Sequence, residues 1–352
     1  MRVGLLSFAH VHAEQYQALL RAMPGAELVG FWDDSVDGHS YAQRYALQRY
    51  LTPQELLAQA LDAVIICSET SRHRALVELS ARAGVHVLCE KPIALTLEDA
   101  EAMREVCAQH GVTFMTAFPM RFDPACSALR QAVQGGQLGG ILGVSGVNHS
   151  ENPAVHRAWF ADPAQSGGGA VMDHVVHLAD LLRWSFACEV AEVYAALQWT
   201  DGAEGTGTPL DTAGLVLLTL TNGVQATIDC SWSRPATYPR WGHLKLDVVG
   251  TEGLMVIDAF AEYLTVYSAD LTRPVQWSGF GADPNQAMLA AFLGAVGRQE
   301  APPVSWQDGY EATRVVLAAY ASAQQGQPVR LHPAHGSSRP STVEGLGEEH
   351  GG

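Results

Sequence analysis

The sequence predicts two domains: a doubly wound α/β domain, followed by an α+β domain with a mostly antiparallel open sheet. Three observations support this. Short, continuously apolar runs alternate with amphipathic stretches over roughly the first 120 residues, which is typical of parallel strands covered by helices on both faces. After residue 190 the strand-like runs follow one another without helices between them. Asn222-Gly223 separates two of those runs and strongly favours a hairpin turn.

The first domain is predicted to span residues 1–120. Its predicted strands are Arg2–Phe8, Glu27–Trp32, Asp62–Cys67, Val85–Cys89 and Val112–Thr116, and its predicted helices are Ala13–Ala22, Pro53–Ala60, Arg72–Ala83 and Leu97–Gln109. This alternation predicts a Rossmann-type parallel sheet, which binds its ligands at the carboxyl ends of the strands.

The second domain is predicted to span residues 121–331. Its predicted helices are Pro124–Gln134, Ser166–Trp184, Asn285–Gly297 and Asp308–Gln325, and its predicted strands are Ile141–Val147, Val190–Trp199, Ala213–Thr221, Val224–Trp232, His243–Val249 and Leu254–Asp258. The tail at 332–352 is rich in Gly, Ser, Pro and Glu and is predicted to be disordered.

The composition excludes several classes of partner. A formal charge of −16 repels nucleic acid and anionic membranes. The apolar run near the N-terminus covers only Val3–Ala9, which is too short for a signal peptide, and no run approaches the roughly 18 residues of a membrane span. The six cysteines are scattered and form no Cys-x-x-Cys pair, which favours reduced thiols. We therefore expect a cytoplasmic protein.

The first strand leads into the segment Ser7-Phe8-Ala9-His10-Val11-His12. A dinucleotide-binding domain normally has Gly-x-Gly-x-x-Gly at this turn. None of the three glycine positions holds glycine here, but the small Ser7 and Ala9 still let the backbone approach a pyrophosphate. We predict that residues 7–10 contact the cofactor. His12 cannot pack as the third glycine does without a local rearrangement.

Asp33 and Asp34 follow the second strand, about 20 residues beyond the first turn. A carboxylate at this place accepts hydrogen bonds from the hydroxyls of an adenosine ribose. Two carboxylates also repel a 2′-phosphate, so NAD is predicted in preference to NADP.

Two further stretches carry the chemistry. One ends in Glu90-Lys91-Pro92, and the other has three glycines, Gly167–Gly169, followed by Asp173, His174 and His177. In this order and spacing they resemble the Gfo/Idh/MocA oxidoreductase family (glucose–fructose oxidoreductase, inositol dehydrogenase and relatives). The resemblance extends to about residue 331 and includes the segments 62–73, 121–124, 136–139, 159–163 and 329–331.

The resemblance implies an NAD(P)-dependent dehydrogenase that acts on a CH–OH group of a sugar, inositol or related polyol. Asp173 and His177 are four residues apart, so a helix places them on one face. The resemblance gives His177 the proton transfer, Asp173 an adjacent hydroxyl or the orientation of the reactive pair, and Lys91 contact with both cofactor and substrate. An ammonium there stabilises an alkoxide. Further cofactor contacts are expected at Ser68, Glu69, Thr70, His73 and Glu90, and further substrate contacts at Arg121, Trp159 and His174.

The same resemblance implies a homodimer or homotetramer, with strands Ala213–Thr221 and Val224–Trp232 as candidates for the interface. The substrate itself is not named by the sequence. His149, His156, Tyr238 and Trp241 are additional candidates for the wall of its pocket.

Three alternatives stay open. His10, His12, His149, His174 and His177 with Asp173 are of the types that bind zinc, but no second pair of fixed ligand spacing reinforces them, so no metal is predicted. An NAD-dependent glycosidase on the same scaffold would oxidise, eliminate and reduce again, with no net redox change. A non-catalytic dinucleotide- or sugar-binding protein is the third alternative, although such a protein needs no proton-transfer residues.

Overall fold

The structure, a computed structural model, describes residues 1–201, 208–261, 263–267, 272, 275–279 and 281–332. Two large sheets organise these residues, one six-stranded and parallel, the other seven-stranded and mixed. The predicted fold class is therefore confirmed. The tail predicted to be disordered lies, from residue 333 onward, outside the described residues.

The first sheet has the strand order β3-β2-β1-β4-β5-β6. Its strands are β1 (Arg2–Leu6), β2 (Glu27–Trp32), β3 (Arg49–Tyr50), β4 (Ala63–Ile66), β5 (His86–Cys89) and β6 (Phe114–Thr116), and the helices between them are α1 (His12–Ala22), α2 (Gly38–Tyr45), α3 (Pro53–Leu57), α4 (His73–Arg82) and α5 (Leu97–Gln109). The sequence did not predict β3 or α2. Strand β3 has only two residues, which are too few to show a period-two pattern.

This sheet is buried on both faces, as its apolar strands predicted. Every residue of β4 is fully buried. Because successive strand residues point to opposite faces, Ala63 and Ile65 join one hydrophobic core and Val64 and Ile66 join the other.

The second sheet has the order β12-β11-β7-β10-β9-β8-β15. Its strands are β7 (Ile141–Ser150), β8 (Val190–Asp201), β9 (Pro209–Leu220), β10 (Gln225–Ser231), β11 (Gly242–Gly250), β12 (Leu254–Asp258) and β15 (Val329–Arg330), and a separate ribbon consists of β13 (Tyr263–Tyr267) and β14 (Val275–Gly279). Only β7 and β10 pair in parallel. Gly223 at φ 85° turns β9 into β10, so the predicted hairpin is confirmed.

The remaining helices are α6 (Pro124–Gln134), α7 (Pro163–Ser166), α8 (Ala170–Phe186), α9 (Pro284–Arg298) and α10 (Trp306–Gln325). The single helix expected from Ser166 to Trp184 is wrong at its start. Gly167 lies at φ 85° and ends α7, and α8 begins only at Ala170.

Helix α8 packs on one face of the second sheet, and α10 packs on α8, β8, α5 and β6. The indole of Trp306 on α10 donates to the carbonyl of Ala100 on α5 at 2.7 Å, which ties the two domains together. The first turn of α8 lies at the carboxyl end of β5, where Asp173 contacts Lys91. Among the described helices, none is both long and apolar enough to cross a bilayer.

Candidate active site

A cavity of about 600 Å³ lies between the residues that follow β1 and β5 and the start of α8. This volume is typical of small-molecule sites. Lys91 and Asp173 line it together with seven of the chain's 14 histidines: His10, His12, His149, His156, His174, His177 and His243. Two of these histidines follow β1, and the other five come from the second domain.

Lys91 and Asp173 form an ion pair across the domain boundary. Nζ of Lys91 lies 2.6 Å from Oδ1 of Asp173, and the indole of Trp232 donates to Oδ2 at 3.1 Å. Burial alone raises the pKa of Asp173, but the ammonium of Lys91 and the imidazole of His174 hold that pKa well below its usual range. The carboxylate is therefore ionised and fixed in direction.

His177 lies one helical turn after Asp173, on the same face. Its Nδ1 atom is buried and has no hydrogen-bond partner among the described residues, and its ring meets Phe118 edge-on at 6.0 Å. Burial, and secondarily the charge of Lys91, lowers the pKa of His177 well below its usual value. A neutral imidazole with an unused nitrogen is suited to exchange a proton with a ligand.

His174 faces the same cavity but already has partners. Its Nε2 lies 3.0 Å from the hydroxyl of Ser150, and its backbone carbonyl accepts from Asn148 at 3.2 Å. Burial lowers the pKa of His174 to about 4, so the ring is neutral at pH 7.

Asp211 of β9 binds the backbone at the start of α8, and this close approach requires glycine at position 169. The carboxylate of Asp211 accepts the N–H groups of Gly169 and Val171 at 2.8 and 2.7 Å and the hydroxyl of Tyr320 at 2.8 Å. A Cβ atom on Gly169 would lie 1.8 Å from the carbonyl oxygen of Asp211. Glycine therefore lets the strand and the helix approach closely enough to aim Asp173 and His177.

The first turn is built without glycine. Ser7 adopts φ 75°, a conformation that costs a non-glycine residue about 1–2 kcal/mol. Asp33 stabilises the turn, since its Oδ2 accepts Phe8 N at 2.6 Å and Ser7 Oγ at 3.0 Å, while Oδ1 accepts Ser35 N at 2.9 Å. Asp33 was predicted to contact the adenosine ribose; it is only 1% exposed, and its carboxylate stabilises the first turn.

His12 does not pack against the sheet in place of the third glycine. It turns its ring toward the cavity, and its Nδ1 lies 2.9 Å from Oε1 of the fully buried Glu90. The hydroxyl of Tyr16 donates to the same oxygen at 2.6 Å. His10 lies beside them with a buried Nε2 that has no hydrogen-bond partner among the described residues.

The other cofactor candidates lie along the same edge of the sheet. Asp34 forms a bidentate pair with Arg72, both distances being 2.8 Å. His73 is buried between the carbonyls of Ile93 and Ser68, at 3.1 and 3.2 Å, and braces the loops after β4 and β5. Glu69 also lies 3.7 Å from Arg72, while Thr70 lines a small pocket beside Pro92 and Asp173.

Two substrate candidates do not line the cavity. Arg121 is buried and bidentate on Asp180, at 2.8 and 2.5 Å, with Asp308 at 2.8 Å as well. Trp159 donates to the carbonyl of Ala9 at 2.9 Å and stacks on Phe160 at 4.0 Å. Arg121 therefore connects the segment after β6 to α8 and α10, and Trp159 connects its segment to the turn after β1. Of the additional candidates, His149, His156 and Trp241 line the cavity and Tyr238 does not.

Sequence reasoning missed several residues that shape this site: Tyr16, Ser150, Asp211, Trp232 and Tyr320. Asp211 carries one detectable signal, since an acidic residue within an apolar strand run demands a buried partner. The other four are polar or aromatic residues of ordinary amphipathic stretches, so their roles appear only after the two domains meet.

The cavity therefore brings together an ammonium held by a carboxylate, an imidazole with an unused nitrogen, and a second imidazole held by another carboxylate. Such a set can stabilise an oxyanion and move protons.

Two family models match the chain. Residues 2–118 match an oxidoreductase family described as an NAD-binding Rossmann fold, and residues 126–256 match a GFO/IDH/MocA C-terminal domain.

Individual relatives agree with these matches. The chain is 29% identical to D-apiose dehydrogenase of Paraburkholderia graminis, over 93% of this chain and 88% of that protein. It is 30% identical to inositol 2-dehydrogenase of Rhizobium meliloti, over 78% of this chain and 82% of that protein. Among solved structures, a probable dehydrogenase from Thermotoga maritima superposes with a TM-score of 0.79 at 27% identity, covering 94% of this chain and 98% of that one.

Proposed function

Because this chain belongs to the Gfo/Idh/MocA family of oxidoreductases, we propose that it transfers a hydride between NAD and a CH–OH carbon of a sugar, inositol or related polyol. The observation that carries the proposal is the 2.6 Å contact of Lys91 with Asp173 in a cavity that also contains His177. The relatives' names, apiose and inositol dehydrogenases, support a polyhydroxylated substrate.

The residues present fit a nicotinamide dinucleotide. The carboxyl ends of β1, β2, β4 and β5 gather residues 7–10, 33–34, 68–70 and 90–91 along one edge of the sheet, which is where such sheets bind nucleotides. Two buried ring nitrogens at the cavity, His10 Nε2 and His177 Nδ1, have no hydrogen-bond partner among the described residues and can bond a polar atom of a ligand. The dinucleotide, when bound, supplies the hydride acceptor.

Lys91 orients and polarises the substrate. Its ammonium donates to the oxygen of the reacting carbon and stabilises negative charge that develops there, in a place where it is 5% exposed and therefore weakly screened by water. Asp173 fixes the direction of the ammonium and keeps a second oxygen, Oδ2, near the cavity with Trp232.

His177 accepts the hydroxyl proton. The lowered pKa keeps its ring neutral at pH 7, so one nitrogen carries a lone pair. Asn148, Ser150 and His174 form an adjoining polar wall that offers hydrogen bonds to the remaining hydroxyls of a polyol. Such groups reject substrates without hydroxyls because buried polar atoms would lose their partners.

The protein associates as a homodimer or homotetramer through the uncovered face of its second sheet. The supporting observation is a set of exposed apolar side chains on that face: Tyr194, Leu215, Leu217, Val249, Leu254 and Val256. Several exposed apolar side chains on one uncovered sheet face favour an interaction site there. The six cysteines are all unpaired, which supports a reducing, cytoplasmic location.

The experiment is a panel of inositols, pentoses, hexoses and their acids with NAD or NADP, followed by the absorbance of the reduced nucleotide. We expect NADH formation with at least one polyol and its loss in His177→Asn, while His39→Asn, an exposed surface change, retains it. Absence of reduced nucleotide with every compound would contradict the proposal. Release of free sugar from a glycoside without net NADH would instead identify an NAD-dependent glycosidase.

A further inference from the structure

His12 stands where a dinucleotide-binding turn normally has glycine, and its contacts are those of a proton-transferring group. Its Nδ1 lies 2.9 Å from Oε1 of Glu90, and its side chain is 28% exposed on the cavity side. Since a carboxylate can only accept, the Nδ1–H group donates and Nε2 keeps a lone pair. A histidine oriented by a buried carboxylate is the arrangement of a general base.

Glu90 is built to remain ionised behind that ring. It is fully buried and accepts from Tyr16 at 2.6 Å as well as from His12. Burial raises the pKa of Glu90, but the imidazoles of His10 and His12 hold it well below its usual range. Tyr16 is buried on α1, so its hydroxyl fixes the carboxylate within the protein and not toward the ligand.

Two consecutive residues therefore serve two separate systems in one cavity. The side chain of Glu90 holds His12, while that of Lys91 pairs with Asp173 one helical turn before His177. Removing a hydride from a CH–OH group requires only one proton acceptor, and His177 with Lys91 meets that need. The oriented imidazole of His12 is therefore available for a second proton transfer.

A metal site is the competing use of His10, His12 and Glu90, whose donor atoms all lie within 4.8 Å of one another. The ring nitrogens do not suit it. His10 Nδ1 accepts the backbone N–H of His12 at 3.3 Å, so the neutral ring carries its hydrogen on Nε2, 3.9 Å from Glu90. His12 Nδ1 likewise carries a hydrogen toward Glu90. With these hydrogen bonds neither nitrogen that faces the carboxylate has a free lone pair, so a metal would bind there only after both rings changed tautomer.

We propose that His12 removes a carbon-bound proton next to the carbonyl that hydride transfer creates, so that the protein also catalyses exchange at that neighbouring carbon. This inference rests on the proposed function. The C–H electron pair moves into the bond to the carbonyl carbon, the carbonyl oxygen becomes an enolate beside the Lys91 ammonium, and the proton goes to Nε2 of His12. Return of a proton restores the ketone, with neither oxidation nor reduction in this step.

The exchange can be measured without hydride transfer. The protein with NAD⁺, but no NADH, is incubated in D₂O with 2-keto-myo-inositol, or with the ketone of any polyol that the panel identifies, and deuterium incorporation is followed by mass spectrometry. We expect incorporation above the buffer rate. His12→Asn keeps an amide N–H for Glu90 but removes the base, and should slow exchange by at least about a hundredfold while NAD binding persists.

The control is His110→Asn, an exposed change at the end of α5, which should leave exchange unchanged. His12→Gln and NAD binding by fluorescence separate loss of the base from loss of the fold. Exchange at the buffer rate in the wild type, or equal exchange in wild type and His12→Asn, would overturn the proposal. So would a stoichiometric metal whose removal by EDTA abolishes exchange. Exchange without NADH formation from any polyol would support His12 and refute the dehydrogenase.

Discussion

Nζ of Lys91 lies 2.6 Å from Oδ1 of Asp173, although the two residues are 82 positions apart and belong to different domains. The lysine follows β5 of the parallel sheet, and the aspartate lies in the first turn of α8. Their contact exists only when both domains are folded and docked. The cavity is therefore assembled by the domain interface and not by either domain alone.

The buried His174 should make stability depend on pH. Its folded pKa of about 4 lies below the unfolded value of 6.5, so the unfolded chain binds more protons as the pH falls from 6.5 toward 4, and the folded state loses stability in that window. His174→Asn should reduce the fall in unfolding free energy between pH 7 and pH 5 by about 1–2 kcal/mol.

Urea unfolding at both pH values checks this, with His110→Asn as the exposed control. An unchanged pH dependence in His174→Asn would contradict the burial of a neutral ring.

Gly169→Ala should destabilise the protein strongly. The added Cβ would lie 1.8 Å from the carbonyl oxygen of Asp211, so strand β9 and helix α8 would have to separate, at a cost of about 3 kcal/mol or more. Gly253→Ala is the matched control, because its Cβ would meet only Leu138, at 3.6 Å. Equal unfolding midpoints for the two variants in urea would contradict the close approach.

Asp34→Asn should change the preference between the two dinucleotides. Arg72 now pairs with Asp34 at 2.8 Å. Without that charge its guanidinium is available to a 2′-phosphate. We expect the ratio of kcat/KM for NADP to that for NAD to rise at least tenfold, which corresponds to about 1.4 kcal/mol. Asp37→Asn, an exposed change nearby, should leave the ratio as it is. An unaltered ratio in Asp34→Asn would place the adenosine ribose elsewhere.

Leu217→Glu should shift the protein toward monomers. Leu217 is 37% exposed on the uncovered sheet face, and a buried charge without a partner opposes association through that face. Leu51→Glu, at a residue 76% exposed outside that sheet, should leave the mass unchanged. Light scattering that gives the same oligomer for Leu217→Glu and the wild type would exclude this face as the interface.

Much of the fold follows from periodicity. The apolar strands of the first domain and the hairpin at Asn222-Gly223 could be predicted because each depends on local pattern and turn chemistry. The convergence of Lys91 with Asp173 and His177 could be anticipated only from the family resemblance, since helix spacing places the latter two on one face but does not show what faces them.

The rest depends on partners distant in sequence. Asp33 was predicted to bind a ribose. Its carboxylate also accepts hydrogen bonds from Ser7 and Phe8 and so stabilises the turn in which Ser7 has a positive φ. Arg121 was predicted to contact the substrate, but its guanidinium is paired with Asp180 and Asp308. His12 looked like a misfit in a glycine position, because its partner Glu90 belongs to another strand. The role of a buried polar side chain depends on its hydrogen-bond partner, and the sequence alone does not show which residues become partners.

The most direct test of the account is steady-state turnover of Lys91→Ala with NAD and the best polyol of the panel. The chain has only two lysines, so Lys245→Ala, on the second sheet, is the matched control. We expect Lys91→Ala to lose turnover while binding NAD within about tenfold of the wild type, about 1.4 kcal/mol, and Lys245→Ala to stay active. Near-normal turnover in Lys91→Ala would remove the lysine from the mechanism and contradict the account.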